Sequence, residues 1–387
     1  MTIKNYEQLQ SETIDWLRFP LIVCVVFIHN KGYGGALTDV EIMWQHLGAN
    51  DLYTLLRITL SSILPSIAVP AFFLISGYLF FYKWHSWDNA IYKRKLKSRT
   101  RTLLLPYIIW NALAIVSILC GDALYNLALW LFRDVPFSFT TNIDGVTDWF
   151  RAFWDINVSD PGEANFMGVA PVSTYPINIP LWYVRDLMVN VILAPLFFWC
   201  IRHCGKYYIG LLLAAYLFRF TFNVPGLSIT SLLFFNAGGY FSIYGKNMLL
   251  EFRRIEKPAY VLAAVFLVIS IVLYSQKGII ISISGIYVIF GIISAFCIAS
   301  RLIVCRHIRI NRFIVGSIFF IYAAHNLSIF AYYNQLVLPQ VYAIGNRWIF
   351  PLTYVTTPFV KIAICLILYR ILYLTTPRLL SIMTGRR

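Results

Sequence analysis

Residues 14–29 have the sequence IDWLRFPLIVCVVFIH, an apolar run with Arg18 near its start and His29 at its end. The run is typical of a membrane helix that carries two polar groups. A helix turns about 100° per residue, so the step from Arg18 to His29 returns to within about 20° of the same face, roughly 16 Å further along the axis. Because a titratable group inside a bilayer is costly unless it faces protein, water or a ligand, this face is expected to line a pocket or channel. A core histidine hydrogen-bonded to a neighbouring helix is the alternative for His29.

The composition excludes a soluble domain. Of the 387 residues, 59% are hydrophobic, 17% are aromatic and only 13% are charged, which is typical of a membrane protein with several spans. The formal net charge of +15 would suggest nucleic-acid binding in a soluble chain, but here the basic residues are concentrated in particular joints between apolar runs, as membrane topology requires. The seven cysteines show no metal-ligand spacing with histidines, so they are interpreted as small buried residues and no metal site is expected.

The apolar runs predict an all-α integral membrane protein with about ten transmembrane helices, built as a single domain over residues 1–387. Their lengths suit a bilayer of ~30 Å, and Pro65 and Pro70 are expected to kink the second span. The N-terminus has no basic region followed by a short apolar core, so no removable signal peptide is expected. The spans are expected at about 14–32, 58–82, 102–120, 180–201, 207–223, 228–245, 258–275, 279–300, 313–333 and 352–375.

The distribution of basic residues predicts the orientation of these spans. The joint at about 83–101 contains seven basic residues and one acidic residue, so it is expected to be a cytoplasmic loop on the same side as the N-terminus. The long segment at about 121–179 is acidic and is expected outside. Arg378, Arg386 and Arg387 place the C-terminus in the cytoplasm as well, which agrees with an even number of spans.

His29 is the natural base of the candidate site, because histidine has the side-chain pKa nearest neutrality and can take a proton from a hydroxyl. A cytoplasmic donor with a phosphate-rich head and a long thin arm, which is the shape of acyl-coenzyme A, could bind its phosphates near Arg18 and reach His29 with its reactive end. The basic residues of the joint at 83–101 could instead serve only to keep that joint on the cytoplasmic side of the membrane. The candidate phosphate ligands are Arg18, Lys97, Arg99 and Arg101.

A second polar cluster, PLWYVRDL at residues 180–187, lies at the outer end of the fourth predicted span. Asp186 is one of very few carboxylates expected within a span, at roughly the depth of His29. It either orients the His29 imidazole or forms a structural pair with Arg185 or another basic group, and the structural pair is the favoured interpretation. Together with Trp182, these residues are candidates for substrate binding.

A third polar cluster, SIFFIYAAHN at residues 317–326, lies near the outer end of a later span. Tyr322 and His325 are three residues apart, so they lie one turn apart on one face of a helix. They either bind an acceptor or brace the bundle. Of the six histidines, His29 and His325 alone fall within apolar runs, which distinguishes them from the histidines in loops and at span ends.

Four motifs in this order resemble the acyltransferase-3 family of bacterial membrane O-acyltransferases. They are the arginine and histidine of residues 18–29, FFLISGY at 72–78, LWY at 181–183 and IYAAH at 321–325. The resemblance covers nearly the whole chain. It implies transfer of an acyl group, usually acetyl from acetyl-coenzyme A, to a sugar hydroxyl on the outer side of the bacterial cytoplasmic membrane. It also implies that His29 is the catalytic residue and that Arg18 is tied to the donor.

One motif departs from the family pattern. Many members have Arg-x-x-Arg entering the third span, whereas this chain has KSRTR at 97–101, so the residue that holds the coenzyme phosphates stays open. The expected mechanism is direct transfer in a ternary complex, in which His29 deprotonates the acceptor hydroxyl; a covalent acyl-histidine relay is the alternative. Neither route requires a metal or a permanently bound cofactor. The candidate oxyanion donors are Ser76, Trp182 and Arg185.

Two other classes of function compete with the enzyme. A transporter or flippase for a lipid-linked sugar would use His29, Arg185 and Asp186 to line a path, and a purely structural membrane protein would leave the buried polar stripe unexplained. Binding of acyl-coenzyme A separates an enzyme from a transporter. The acceptor itself is open, but residues 145–178 mix aromatic side chains with aspartate and asparagine, which suits a sugar and also suits a segment lying on the membrane surface.

Overall fold

The computed structural model describes residues 3–30, 52–84, 86–133, 145–161, 169–170, 172–274, 281–306, 311–328, 330, 338–342, 344 and 348–385. These residues are almost entirely helical. A two-stranded antiparallel sheet, β1 (Asn157–Val158) and β2 (Thr174–Tyr175), is the sheet within the described ranges, with Asn157 opposite Tyr175. The all-α class predicted from the apolar runs is confirmed.

The first half of the chain contains helices of very different length. They are α1 (Ile3–Ile28), α2 (Leu52–Arg57), α3 (Ala68–Phe81), α4 (Asn89–Arg99), α5 (Leu105–Arg133), α6 (Val146–Ala152), α7 (Trp182–Ile192) and α8 (Ala194–Leu217). A π-helix (Ile58–Ile63) and a 3₁₀ turn (Leu64–Ile67) around Pro65 join α2 to α3, so the irregularity expected at Pro65 is present.

The second half continues the helical bundle. Its helices are α9 (Ile229–Ile243), α10 (Met248–Arg254), α11 (Glu256–Val272), α12 (Ile283–Arg306), α13 (Arg312–Ala324), α14 (Leu338–Tyr342), α15 (Ile349–Thr375) and α16 (Pro377–Met383).

Within the described residues, four helical segments are long and apolar enough to cross a membrane: Leu52–Phe81, Asn89–Leu124, Ile283–Cys305 and Ile349–Thr375. The count rises to six if two bent pairs each form one span, α7 with α8 at 66° and α10 with α11 at 77°. Helices α9 and α13 are apolar but shorter. The chain is therefore an all-α membrane protein, while the ten spans and the cytoplasmic position of both termini stay predictions.

The basic joint at 83–101 is not an irregular loop, because most of it forms helix α4. Asp88 caps this helix: its carboxylate accepts hydrogen bonds from the backbone N–H groups of Ala90 at 2.6 Å and Ile91 at 3.1 Å. The Lys95 ammonium donates to the Phe80 carbonyl and so ties α4 to the end of α3. Lysine and arginine are good helix formers, so their abundance indicates the side of the membrane but does not indicate a loop.

Two predicted spans also have different ends in the structure. Helix α5 continues to Arg133, so the third run does not end near residue 120 and the first part of the segment expected outside is helical. The span expected at 180–201 is divided, because α7 ends at Ile192 and α8 starts with Pro195 in its first turn. A further kink at Gly205, which has a φ of 53°, interrupts α8.

Helices α3 and α9 cross with their backbones in contact. A Cβ atom on Gly77 would lie 1.9 Å from the Phe235 carbonyl oxygen, and one on Gly238 would lie 2.0 Å from the Leu74 carbonyl oxygen. Small residues at such crossings let membrane helices approach closely. The glycine of the FFLISGY motif is thus explained by packing, and it holds the neighbouring Ser76 in a fixed position.

Candidate functional site

A cavity of about 870 Å³ lies between α1, α3, α7, α13 and α15, with the C-terminal end of α4 closing one side. Its wall is largely apolar and is interrupted by charged, hydroxyl and phenol groups. An apolar pocket with a few convergent polar groups is the usual form of a small-molecule site. The polar lining residues are Asp15, Arg18, Ser76, Arg99, Tyr183, Arg312, Tyr322, Tyr369 and Tyr373.

Three arginines from three different helices line this cavity. Arg18 comes from α1 and forms an ion pair with Asp15 at 2.9 Å, Arg99 is half-buried at the end of α4, and Arg312 is exposed at the start of α13. We call this side of the cavity the Arg18 end. Because guanidinium groups bind phosphate oxygens in a bidentate manner, the Arg18 end is suited to a phosphorylated ligand.

Of the basic residues expected to bind phosphates on the KSRTR stretch, the structure brings Arg99 into the cavity and leaves Lys97 and Arg101 exposed outside its lining. The reason is helical periodicity. A step of two residues turns a helix by about 200°, so residues on either side of Arg99 at this spacing point away from the face that Arg99 presents. A phosphate-binding role for Lys97 and Arg101 stays a prediction.

The wall of the cavity also carries hydroxyl groups. Ser76 Oγ and the Tyr183 hydroxyl lie 2.8 Å apart, and the Tyr322 hydroxyl donates to the Pro180 carbonyl. Ser76 and Tyr322, both predicted as substrate-binding residues, therefore line the cavity. Trp182 does not line it and packs instead against the Phe73 ring at 6.2 Å.

His29 follows the last residue of α1, in a part of the chain held by neighbouring helices. The Ser61 hydroxyl donates to the Phe27 carbonyl at 2.5 Å, and the Asn30 amide donates to the Tyr354 carbonyl at 2.8 Å. These bonds satisfy polar groups that a helix end leaves without intrahelical partners. They also fix the direction in which the half-buried His29 side chain leaves the helix.

The His29 ring lies against a second histidine, with 5.2 Å between its centroid and that of His325. His325 is fully buried at the end of α13, and its Nδ1 donates to the Ile321 carbonyl at 3.0 Å. Its Nε2 is buried and has no hydrogen-bond partner among the described residues. The sequence placed these two histidines on separate spans and did not predict that they meet.

The histidine pair lies just beyond the end of the cavity that is remote from the arginines. Tyr322 lines the cavity, and His325 is three residues, about 4.5 Å, further along α13. On α1 the last lining residue is Ile22, and His29 is roughly 10 Å further along the helix. We call this the His29 end. Arg18 and His29 thus lie at opposite ends of an elongated site that consists of the cavity and the adjoining histidine pair.

Arg185 and Asp186 form an ion pair buried among the helices, at 4% and 1% exposure, and neither lines the cavity. Two guanidinium nitrogens of Arg185 donate to one Asp186 oxygen at 3.2 and 3.0 Å, and a third donates to the Trp154 carbonyl at 2.6 Å. The pair therefore attaches the segment containing α6 to helix α7. Of the two roles considered for Asp186, the structure shows the pairing with Arg185.

Five polar lining residues were not among the candidates for the site: Asp15, Tyr183, Arg312, Tyr369 and Tyr373. Arg312 was counted only as one of many basic residues that mark the cytoplasmic side, and Tyr369 and Tyr373 were not distinguished from the other aromatic residues of a late span. A signal existed for the tyrosines, because phenol groups four residues apart lie on one face of a helix. No local signal identifies which basic residue of a joint turns towards a cavity.

Comparisons with known proteins place the whole chain. A family profile described as an acyltransferase domain matches residues 11–370. The succinoglycan biosynthesis protein ExoH of Rhizobium meliloti (strain 1021) is 28% identical over 389 residues, which cover 97% of this chain and 92% of that protein. No solved structure matches the chain. Because the profile spans α1 to most of α15 and so includes all four motifs, the protein belongs to the acyltransferase-3 family.

Proposed function

We propose that this acyltransferase moves an acyl group, acetyl in the simplest case, from cytoplasmic acyl-coenzyme A to a hydroxyl of a surface polysaccharide or its lipid-linked precursor. The observation that carries the proposal is the separation of the two ends of the cavity. Three arginines lie at one end and two histidines lie just beyond the other. A donor with a phosphorylated head and a thioester at the end of a long arm matches that separation.

The Arg18 end supplies the donor site in this proposal. Arg18, Arg99 and Arg312 bind the coenzyme phosphates, and the apolar wall between the two ends, including Ile22 and Phe319, packs against the arm. The step from Arg18 to His29 along α1 covers roughly 16 Å, so the thioester reaches the histidines while the phosphates stay among the arginines.

The His29 end supplies the chemistry. His29 takes the proton from the acceptor hydroxyl as the hydroxyl oxygen attacks the thioester carbonyl carbon. The carbon–sulfur bond then breaks, and the departing thiolate takes the proton from the His29 imidazolium, which leaves an ester on the acceptor and free coenzyme A. The chain needs to supply only positioning, a base and groups that stabilise the oxyanion.

The acceptor class rests on the relative. ExoH is named for succinoglycan biosynthesis, and succinoglycan is a polysaccharide, which supports a glycan acceptor for this chain. The expected location is the bacterial cytoplasmic membrane with the Arg18 end facing the cytoplasm, in agreement with the basic joints. The acceptor hydroxyl then approaches from the opposite side.

Purified protein in detergent tests the donor. It should bind acetyl-coenzyme A and hydrolyse it slowly to free thiol, because water can replace an absent acceptor hydroxyl. A transporter for a lipid-linked sugar would neither bind the coenzyme nor release thiol. The acceptor is identified by mass spectrometry of surface and lipid-linked glycans from cells with and without this protein, and the expected difference is loss of one acyl mass.

A further inference from the structure

Helix α15 carries a lysine on its buried face. Lys361 is 4% exposed, and it follows the buried Tyr354 and Thr357 and precedes the buried Cys365 and Tyr369 at helical spacing. This helix is one of the segments apolar enough to cross the membrane. Lys361 therefore places an amino group in the interior of a membrane bundle, at a position that the sequence motifs did not indicate.

The register between α13 and α15 places Lys361 level with the histidine pair. A Cβ atom on Gly316 would lie 2.8 Å from the Tyr369 hydroxyl, which makes these two residues neighbours at the cavity wall. From that point, His325 is about 13 Å further along α13 and Lys361 is about 12 Å back along α15. Lys361 is accordingly level with His325, whose ring is 5.2 Å from that of His29.

The amino group has no compensating charge in the described part of the chain. None of the described carboxylates pairs with it, none of the described residues accepts a hydrogen bond from it, and the Phe330 ring centroid lies 6.0 Å away. Arg185, another buried cation, is paired with Asp186. A lysine side chain buried in a membrane bundle without a paired charge is costly, and a negative charge that arises during function would offset that cost.

We propose that Lys361 is a catalytic residue whose ammonium binds the thioester carbonyl oxygen and stabilises the oxyanion formed in acyl transfer. This inference rests on the proposed function. When the acceptor oxygen attacks, the electron pair of the carbonyl bond moves to the carbonyl oxygen and Lys361 donates a hydrogen bond to it. When that pair returns, the carbon–sulfur bond breaks and the thiolate leaves with the proton from His29. Lys361 keeps its own proton throughout.

Lys361 fits this role better than the oxyanion donors expected from the sequence. All three guanidinium nitrogens of Arg185 donate hydrogen bonds, to Asp186, Trp154 and Thr174. Trp182 packs against Phe73 outside the cavity lining. The Ser76 hydroxyl is held by Tyr183 in the cavity wall. The Lys361 ammonium is level with the proposed base and has its donors unused by the described residues.

The test compares acyl transfer with slow hydrolysis of acetyl-coenzyme A, because both reactions pass through an oxyanion. Replacement of Lys361 by Met keeps an unbranched apolar side chain of nearly the same length and removes the amino group, with its donors and charge. Lys361→Met should lower kcat of both reactions by a common factor of about a hundred or more, with unchanged affinity for coenzyme A. Lys257→Met, at an exposed lysine at the start of α11, is the matched control and should leave both rates at the wild-type value.

Different results overturn different claims. A wild-type kcat in the Lys361→Met protein overturns the role of Lys361. Loss of acyl transfer with hydrolysis intact also overturns it, and would indicate that Lys361 holds the acceptor. If the Met protein does not purify folded, Lys361→Arg and Lys361→Gln decide: an active Arg variant and an inactive Gln variant support the role, and equal rates refute it. Absence of coenzyme binding and hydrolysis in the wild type would refute the proposed function instead.

Discussion

Two pairs of neighbouring polar side chains in the bundle, Arg185 with Asp186 and His29 with His325, differ in how their buried nitrogens are used. The guanidinium of Arg185 donates to the Asp186 carboxylate and to the Trp154 carbonyl. In the pair formed by His29 and His325, the rings lie 5.2 Å apart, and Nε2 of His325 is buried with no partner among the described residues. Both pairs would be costly in a membrane if they served no purpose.

The difference distinguishes a structural pair from a pair available for chemistry. A saturated pair such as Arg185 and Asp186 has no group left to act on a ligand, and its bonds connect α7 to the segment that contains Trp154. A buried acceptor such as Nε2 of His325 is expensive to leave unpaired, and in the proposed function a substrate group pairs with it. Substitutions in the histidine pair should therefore lower activity, whereas substitutions of Arg185 and Asp186 should lower stability.

The largest effect is expected at His29. Replacement of His29 by Ala should reduce acyl transfer by at least about a hundredfold, because it removes the general base. Affinity for acetyl-coenzyme A should be preserved, since the phosphates bind at the other end of the cavity. Transfer is measured on purified protein of matched yield, with His203→Ala at an exposed histidine as the control. Substantial residual transfer in a well-expressed His29→Ala protein would remove His29 from the mechanism.

Substitution of His325 by Asn or by Gln sharpens the comparison. The Asn amide can replace Nδ1 as the donor to the Ile321 carbonyl while removing Nε2, whereas Gln does the reverse. If Nε2 meets the substrate, His325→Asn should lower kcat between about tenfold and a hundredfold with a near-normal melting temperature. Equal kcat in His325→Asn and wild type would show that the unpaired nitrogen is unimportant.

The third prediction concerns stability. Asp186→Asn leaves the Arg185 guanidinium buried without a counter-charge and should destabilise the protein by about 3 kcal/mol or more. The double substitution Arg185→Met with Asp186→Leu should recover much of that loss. Thermal unfolding in detergent measures the effect, and kcat per folded molecule should stay near the wild-type value. A fall in kcat without a fall in melting temperature would contradict the structural assignment.

Donor binding at the Arg18 end should depend on the charge of the arginines and on the salt concentration. Arg99→Gln should weaken binding of acetyl-coenzyme A about tenfold, since it removes a charge-assisted hydrogen bond. Arg101→Gln should weaken binding less, because Arg101 is exposed and lies outside the cavity lining. Added salt should weaken binding more in the wild type than in Arg99→Gln. Arg202→Gln, at an exposed residue of α8, is the control. Equal losses at Arg99 and Arg101 would contradict the cavity assignment.

The smallest change in overall rate is expected from exchange of residues 145–178 for the matching segment of a relative with a different acceptor. The product should change while the affinity for coenzyme A stays constant, because this segment is attached to α7 through Arg185 and its described residues do not line the cavity. Mass spectrometry of the product gives the result. A folded chimaera that still makes the original product would place acceptor specificity in the helices.

The sequence predicted those features of the site that are set within a single helix. The spacing of Arg18 and His29 is a property of α1 alone, and the structure places these residues towards opposite ends of the cavity arrangement. The family resemblance drawn from four short motifs is confirmed across most of the chain. Helical periodicity and the order of motifs can be read from the sequence because neither depends on how the helices pack against one another.

The sequence did not predict relations between helices. The contact of His29 with His325 joins residues about three hundred positions apart, and the entry of Arg312 into the cavity depends on the direction in which α13 starts. The break between α7 and α8 was missed although Pro195 signals it, because the apolar character is continuous across the break. Hydropathy measures affinity for lipid and carries no information on bends.

The crossing of α3 and α9 has a mechanical consequence for substrate exchange. Where Gly77 and Gly238 bring two backbones together there is no clearance for sliding, so this side of the cavity acts as a fixed frame. Entry of a long donor and release of free thiol then require the opposite side, formed by α13 and α15, to yield. Hydrogen exchange should accordingly change on donor binding in α13 and stay constant in α3 and α9, and the reverse pattern would place the gate at the glycines.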